Sequence, residues 1–276
     1  MLIRRFISLP LILALSVVCA KSQVAPEPTT LVPGQPVERE IAGGESHTYQ
    51  ITLTAGQFVR FRLEQRAIDA TLILTAPDGK QLVEMNLTGV GEQESLSLEA
   101  ASAGSHRLTV RGSEVAALRG SYRLEAAVQA TAQDRKRLAA EALLVEGNEL
   151  KKQRTKTEEQ VIEKLQQALT VWRELPDRYW EARTLNLIGD AHSSGSKYDE
   201  AVESYNQALA IRRAIRDRWG EGNTLEDLGS AYWWLHRYEK AIECSEQALA
   251  IHREVKNRAR EGTTLNSLGV SYFALS

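Results

Sequence analysis

The chain has 276 residues, 43% hydrophobic and 25% charged, with a net charge of −2 at neutral pH. That balance supplies enough apolar material for two modest cores and excludes disorder over the whole length. Acidic and basic residues are interspersed, so there is no basic field to draw phosphate backbones, and nucleic acid is excluded as a partner.

At the N-terminus Arg4 and Arg5 precede an apolar run from Phe6 to Val18, and Val18-Cys19-Ala20 offers a cleavage site after Ala20. Residues 1–20 therefore predict an export signal and a periplasmic or secreted mature protein. The run is shorter than the ~20 apolar residues of a membrane span, so the mature chain is expected to carry no integral span. A lipoprotein anchored at Cys19 is the rival reading, and Val18 fits it poorly because such signals resemble one another in having a small residue there. After cleavage only Cys244 remains, which excludes an intramolecular disulfide.

Residues 21–32 are polar and proline-bearing and predict a disordered linker. From residue 33 to 129 the period is two. Tyr49, Ile51 and Leu53 alternate with polar neighbours, as do Val59, Phe61 and Leu63, then Leu96 and Leu98, then His106, Leu108 and Val110, then Tyr122 and Leu124. Glycine-rich turns separate these runs, and no helical segment intervenes, which predicts a small antiparallel β-sandwich. His106 faces inward and is expected to be a hydrogen-bonded core residue. The segments "GGESHTYQITLTAGQFVRFRLEQ", "TLILTAPDGKQL", "GSHRLTVRG" and "GSYRLEA" resemble the bacterial pre-peptidase C-terminal domain. That resemblance implies a jelly-roll-like module that supports or binds and performs no catalysis.

Beyond residue 130 the period becomes helical. "DRYWEARTLNLIGDAH", "DRWGEGNTLEDLGSAY" and "NRAREGTTLNSLGVSY" begin at Asp177, Asp217 and Asn257, forty residues apart. Gly189 and Gly229 recur where a partner helix must approach closely, and Ala208 and Ala248 recur where the next helix packs. Gly195 and Ser196 mark the break between paired helices. These units look like tetratricopeptide repeats in a long-spaced form. The reading gives a divergent first pair at 130–176, repeats at 177–216 and 217–256, and an incomplete repeat at 257–276. His192 stands where an aromatic is expected, which predicts looser packing in the first complete repeat.

Such helix pairs cannot bury their apolar faces alone, and stacking yields a solenoid with a concave side. The resemblance implies that the first helix of each repeat lines a groove that holds a protein or peptide partner. Carried onto this chain, the groove positions are Arg183, Asn186, Asp190, Ser193, Ser194, Asn223, Glu226, Ser230, Trp233, Trp234, Thr263, Asn266 and Phe273. Asparagine there can pair with both polar groups of an extended backbone, and Arg183 with a carboxylate. Adjacent Trp233 and Trp234 cannot both face one core, so an exposed anchor is weighed against simple packing of one indole on the next repeat. Charge runs such as "RRAIRDR", from Arg212, are expected on solvated outer faces.

Catalysis finds little support. The five histidines show no metal-ligand spacing, Cys244 reads as a buried packing thiol, and no phosphate loop or nucleophile elbow occurs, so neither enzyme activity nor a cofactor is expected. Leu265, Leu268, Tyr272 and Leu275 lack a following helix, which predicts self-association or a longer parent protein. The order of signal, sandwich and repeats is similar to exported proteins whose repeats run on into a caspase-like peptidase of the CHAT type. The chain is therefore read as an exported, non-enzymatic binding scaffold, with the recognition fragment of such a peptidase as the alternative.

Overall fold

The structure, a computed structural model, describes residues 28–115, 118–129, 131–153 and 157–276. The predicted signal, Cys19 and most of the predicted linker lie outside them. The linker's end is packed rather than disordered: β1 (Thr29–Thr30) pairs in parallel with β3, and Leu31 is buried. A short strand with one apolar anchor is enough to order a proline-rich segment against an existing sheet edge.

Among the described residues β1 is followed by β2 (Val37–Ala42), β3 (Ser46–Leu53), β4 (Phe58–Arg66), β5 (Ala70–Thr75), β6 (Gln81–Met85), β7 (Gln93–Glu99), β8 (Gly104–Gly112) and β9 (Arg119–Ala127). They form two sheets, of order β1-β3-β8-β5-β6 and β2-β9-β4-β7. Apart from β1 with β3, neighbouring strands are antiparallel. Alternation sends Tyr49, Ile51, Phe61, Leu63, Leu108, Val110 and Leu124 into one core. His106 lies in it, 1% exposed, with Nδ1 3.3 Å from the Gly104 carbonyl. The buried Tyr49 and Tyr122 hydroxyls meet at 2.5 Å, giving each phenol a partner inside the core.

Seven helices follow among the described residues: α1 (Ala132–Lys152), α2 (Glu158–Glu174), α3 (Arg178–Ser194), α4 (Tyr198–Ala214), α5 (Arg218–Trp234), α6 (Tyr238–Glu254) and α7 (Arg258–Leu275). Thr131 and Asp134 form a reciprocal capping box that starts α1. Asp177, Asp217 and Asn257 cap α3, α5 and α7, each side chain accepting a backbone N–H three residues on. The turns between helices use a left-handed residue every twenty positions, at Ser196, Arg216, His236 and Lys256, none of them glycine. Gly195, expected to help break the helices, is not the left-handed residue.

Three-membered ion clusters repeat at twice that interval, every forty positions. Glu181, Glu221 and Glu261 each receive one arginine from the preceding helix (Arg173, Arg213, Arg253) and one from their own first turn (Arg178, Arg218, Arg258). They clip each helix pair to the next. A Cβ on Gly189 would come within 2.4 Å of the Tyr205 ring, so glycine is what lets α3 and α4 close on one another. Gly189→Val is accordingly expected to lower stability by roughly 1–3 kcal/mol, read from urea unfolding, as overpacked cores do. A change below the error of the measurement would show that Tyr205 can swing clear.

The apolar core does not divide where the sandwich ends, although smaller clusters lie farther along the helices. One apolar cluster runs from Leu31 through the sandwich, across α1 and α2, to Ala208 and Ile211 in α4. The buried Glu141 of α1 crosses the junction, accepting from Ser95 Oγ at 2.9 Å and Ser97 N at 2.6 Å. Arg60 of β4 meets Asp134 at 3.2 Å beside it. His192, where an aromatic was expected, has its Nδ1 3.2 Å from Glu158 Oε1 on α2, a contact between neighbouring helix pairs. At the far end Leu268 is covered by Ile242 and Leu249 of α6, whereas Leu265, Tyr272 and Leu275 are exposed.

Candidate protein-binding groove

Helices α3, α5 and α7 touch in series, so the side chains expected to line a groove share one side of the stack. They fall into two groups. The group nearest the sandwich is already engaged. The link between β6 and β7, residues 86–92, lies against α3 and α5, and Arg183 donates both Nε (2.6 Å) and Nη2 to the Leu87 carbonyl. Tyr179 Oη accepts from Gln93 N at 2.8 Å. Gly91, at φ +79°, leaves no room for a Cβ because the Trp219 ring is 2.3 Å from where it would stand. Glu92 enters deepest, with Arg212 Nη2 at 3.1 Å, Arg183 Nε at 3.8 Å and the Gly89 amide at 3.0 Å. Burial alone would push its carboxyl up, but Arg183 and Arg212, helped by Gly89 and the Asn223 side chain, hold it below the usual carboxylate range.

Arg212 contradicts the expectation of a solvated charge run. It is fully buried on α4, hydrogen-bonded to Asp217 and to Asn186 Oδ1 at 3.3 Å and ion-paired with Glu92, with the Tyr179 ring 6.0 Å from its guanidinium. The signal was present: Arg212 follows buried Ala208 by four positions on one helix face, and the matching places one period away hold the fully buried Trp172 and His252. Asn186 is likewise inside, 1% exposed, its Oδ1 also accepting from Thr224 Oγ1 at 2.9 Å. It joins neighbouring repeats and offers nothing to a peptide. Asn223, 8% exposed, faces Glu92 instead of solvent.

Between the groups Tyr205 Oη donates to Asp190 at 2.9 Å, and Asn186 lies 3.4 Å from Asp227 Oδ2. Burial first, and then the charge of Asp190, raise the Asp227 carboxyl above the usual carboxylate range. Glu226 pairs with Arg260 at 2.9 Å and Thr263 at 2.7 Å, clipping α5 to α7.

The second group is open. Trp234 is 54% exposed and stacks on Tyr198 at 5.6 Å, and Trp233 meets it edge-on at 5.0 Å. Trp233, Trp234, Ser230, Asn266, Val270 and Ser271 line one concavity between α5 and α7, and Phe273, 83% exposed, stands on α7 nearby in sequence. The Trp233 Nε1 is buried without a hydrogen-bond partner. Ser193 and Ser194 close α3, and Ser194 Oγ turns back to the Asp190 carbonyl at 2.8 Å. Cys244 is buried, and burial raises its thiol to about 11, which leaves it protonated and unreactive. Among the described residues no three His, Cys, Asp or Glu side chains converge as a metal site requires, and no helix is long and apolar enough to cross a membrane.

Comparison with known proteins agrees with this architecture. The tetratricopeptide-repeat family matches residues 153–214 and 221–276. No curated protein sequence matches the chain. Among solved structures, a signal-transduction ATPase with a tetratricopeptide-repeat sensor from Pyrococcus horikoshii is similar over 50% of this chain and 21% of that one, at 21% identity and TM-score 0.47. The TPR2AB domain of yeast Sti1, solved with an HSP90 segment, is similar over 49% and 47% respectively, at 25% identity and TM-score 0.41. The chain thus spans less than half of either. The sandwich is similar to the pre-peptidase C-terminal domain of a Bacillus anthracis collagenase over 36% of this chain and 94% of that one, at 14% identity and TM-score 0.31. The helices from residue 153 onward are a tetratricopeptide-repeat solenoid, joined in this chain to a β-sandwich that reaches into its groove.

Proposed function

We propose that the chain is a non-enzymatic scaffold that binds a protein or peptide partner in the open half of its groove. The observation that carries this reading is the Trp233-Trp234 pair. One indole is more than half exposed, the other has an unpartnered N–H, and both border a concavity whose remaining lining, Val270 apart, is small or polar. Aromatic side chains held rigidly beside a concave surface are the usual anchors of interfaces, and a buried donor without a partner favours a ligand that brings an acceptor. The solenoid supports the reading because its repeats form a continuous surface rather than a closed pocket.

Replacing both tryptophans with alanine tests it. Quantitative capture of partners from the source organism, identified by mass spectrometry, is expected to fall by roughly 30-fold in affinity, the loss of one hot spot of about 2 kcal/mol. Undiminished binding by a variant with unchanged circular dichroism would remove the anchor from this surface.

A further inference from the structure

The concavity between α5 and α7 carries no charge. None of the residues that line it on α5, α6 or α7 is acidic or basic, although 25% of the chain is charged. The charges flanking it in sequence are matched elsewhere. Glu226, one turn before Ser230, pairs with Arg260, and Arg237, three residues after Trp234, pairs with Asp199. An acidic or basic segment entering here would give up its hydration and meet no free opposite charge, so the chemistry points to an uncharged occupant.

Hydrogen bonding and ring geometry narrow it further. Ser230, Ser267 and Ser271 give their hydroxyl protons to carbonyls of their own helices. The Trp233 N–H has no acceptor, so no hydrogen bond opposes a turn of that ring toward an incoming carbonyl. Tyr198 lies parallel to Trp234 at 5.6 Å and 3°, Trp233 stands at 87° to Trp234, and Tyr238 tilts against Trp233 at 6.4 Å. Four rings, from the starts of α4 and α6 and the end of α5, thus make one continuous patch with faces in two directions. Proline suits such a patch. Its ring packs flat on an aromatic face, it has no N–H to leave unpaired, and a run of prolines is already extended, so binding orders little that was free.

We propose that the tryptophan concavity receives an uncharged, proline-rich segment of the partner in the polyproline II conformation, with proline rings on Trp234 and a carbonyl accepting from Trp233. This inference rests on the reading of the concavity as a protein-binding surface. It adds the chemistry of what binds there.

The test uses the full chain and capped, fluorescein-labelled decaproline, with a capped decamer of alternating alanine and glutamine as the uncharged control. Fluorescence anisotropy is expected to show decaproline bound at least about tenfold tighter than the control, and weakened roughly tenfold by Trp234→Ala, the loss of one exposed anchor. Trp234→Phe keeps a flat face and should retain most of the binding. Affinity should change by less than about twofold between low and high salt, because no ion pair forms. In the unaltered chain the indole N–H resonance of Trp233, assigned by its absence from Trp233→Phe, should shift as unlabelled decaproline is added. No decaproline binding up to several millimolar, binding that Trp234→Ala leaves unchanged, or equal binding of the control would overturn the proposal. So would displacement of decaproline by cellohexaose, which would assign the concavity to a neutral glycan, a steep fall with salt, or a Trp233 resonance unmoved at saturation. Partner capture that stays tryptophan-dependent after such a failure would leave the scaffold reading standing and remove only the proline-rich segment.

Discussion

Arg212→Ala is expected to destabilise the chain by roughly 3–5 kcal/mol, the usual result of removing one member of a buried ion cluster. The cost arises from what remains behind. Asp217 would lose its buried guanidinium partner, Glu92 the nearer of its two, and Asn186 Oδ1 one of its two donors. Arg212→Lys keeps the charge but cannot reach all three acceptors, so an intermediate loss is expected. Adding Glu92→Gln to the alanine variant should restore roughly 1–3 kcal/mol, the coupling typical of residues in one network. Urea unfolding of the four proteins completes the cycle. A loss under 1 kcal/mol for the alanine variant would mean that water already reaches the site, and additive effects would mean that Arg212 and Glu92 are not coupled.

Stability is expected to rise as pH falls from 8 to 5, with the buried carboxyls of Glu94 and Asp227 the main sources. Burial raises the Glu94 carboxyl to about 7 despite hydrogen bonds from Leu87 N, Thr88 N and Thr88 Oγ1, and its second oxygen has no partner. A carboxyl whose folded pKa lies above its unfolded value binds its proton more tightly in the folded state. Its contribution is therefore complete below about 4.5 and is lost as pH rises through about 7. At ~1.36 kcal/mol per pH unit the swing is roughly 3 kcal/mol. Glu141 and Asp69, both raised chiefly by burial, act in the same direction. Glu92, Asp134 and Glu226 are lowered, so their contributions fade only below the ordinary carboxylate range, outside this window. Glu94→Gln should lower the slope of urea midpoint against pH between 5 and 8, leaving the part that Asp227 contributes. A flat profile in the unaltered chain, or an unchanged slope in the variant, would place the ionisation elsewhere.

The two effects meet in one loop. Glu94 accepts from the start of residues 86–92, and Arg212 pairs with Glu92 at their end. The shared core has a further consequence: the sandwich and α1 to α3 are expected to lose structure together, because no apolar boundary separates them.

What the sequence determined by itself is everything that repeats or alternates. Strand alternation, the forty-residue period, the caps at Asp177, Asp217 and Asn257 and the close approach at Gly189 are each dictated by neighbours a few residues away, and the local steric rule is the same wherever it recurs. The exposed half of the candidate groove was legible for the same reason, since Trp233 and Trp234 cannot share one helix face. Only the tertiary structure decided the other half. Asn186, Asn223 and Arg183 sit at groove positions by repeat register, yet each is spoken for by a contact that joins neighbouring repeats or crosses to the β6–β7 loop. Arg212 looked solvated within a charged run because nothing nearby in sequence reports Glu92, which lies 120 positions earlier. The repeat register marks position 212 as interior, as at Trp172 and His252, but the charge that folding brings to meet it leaves no trace in its own segment.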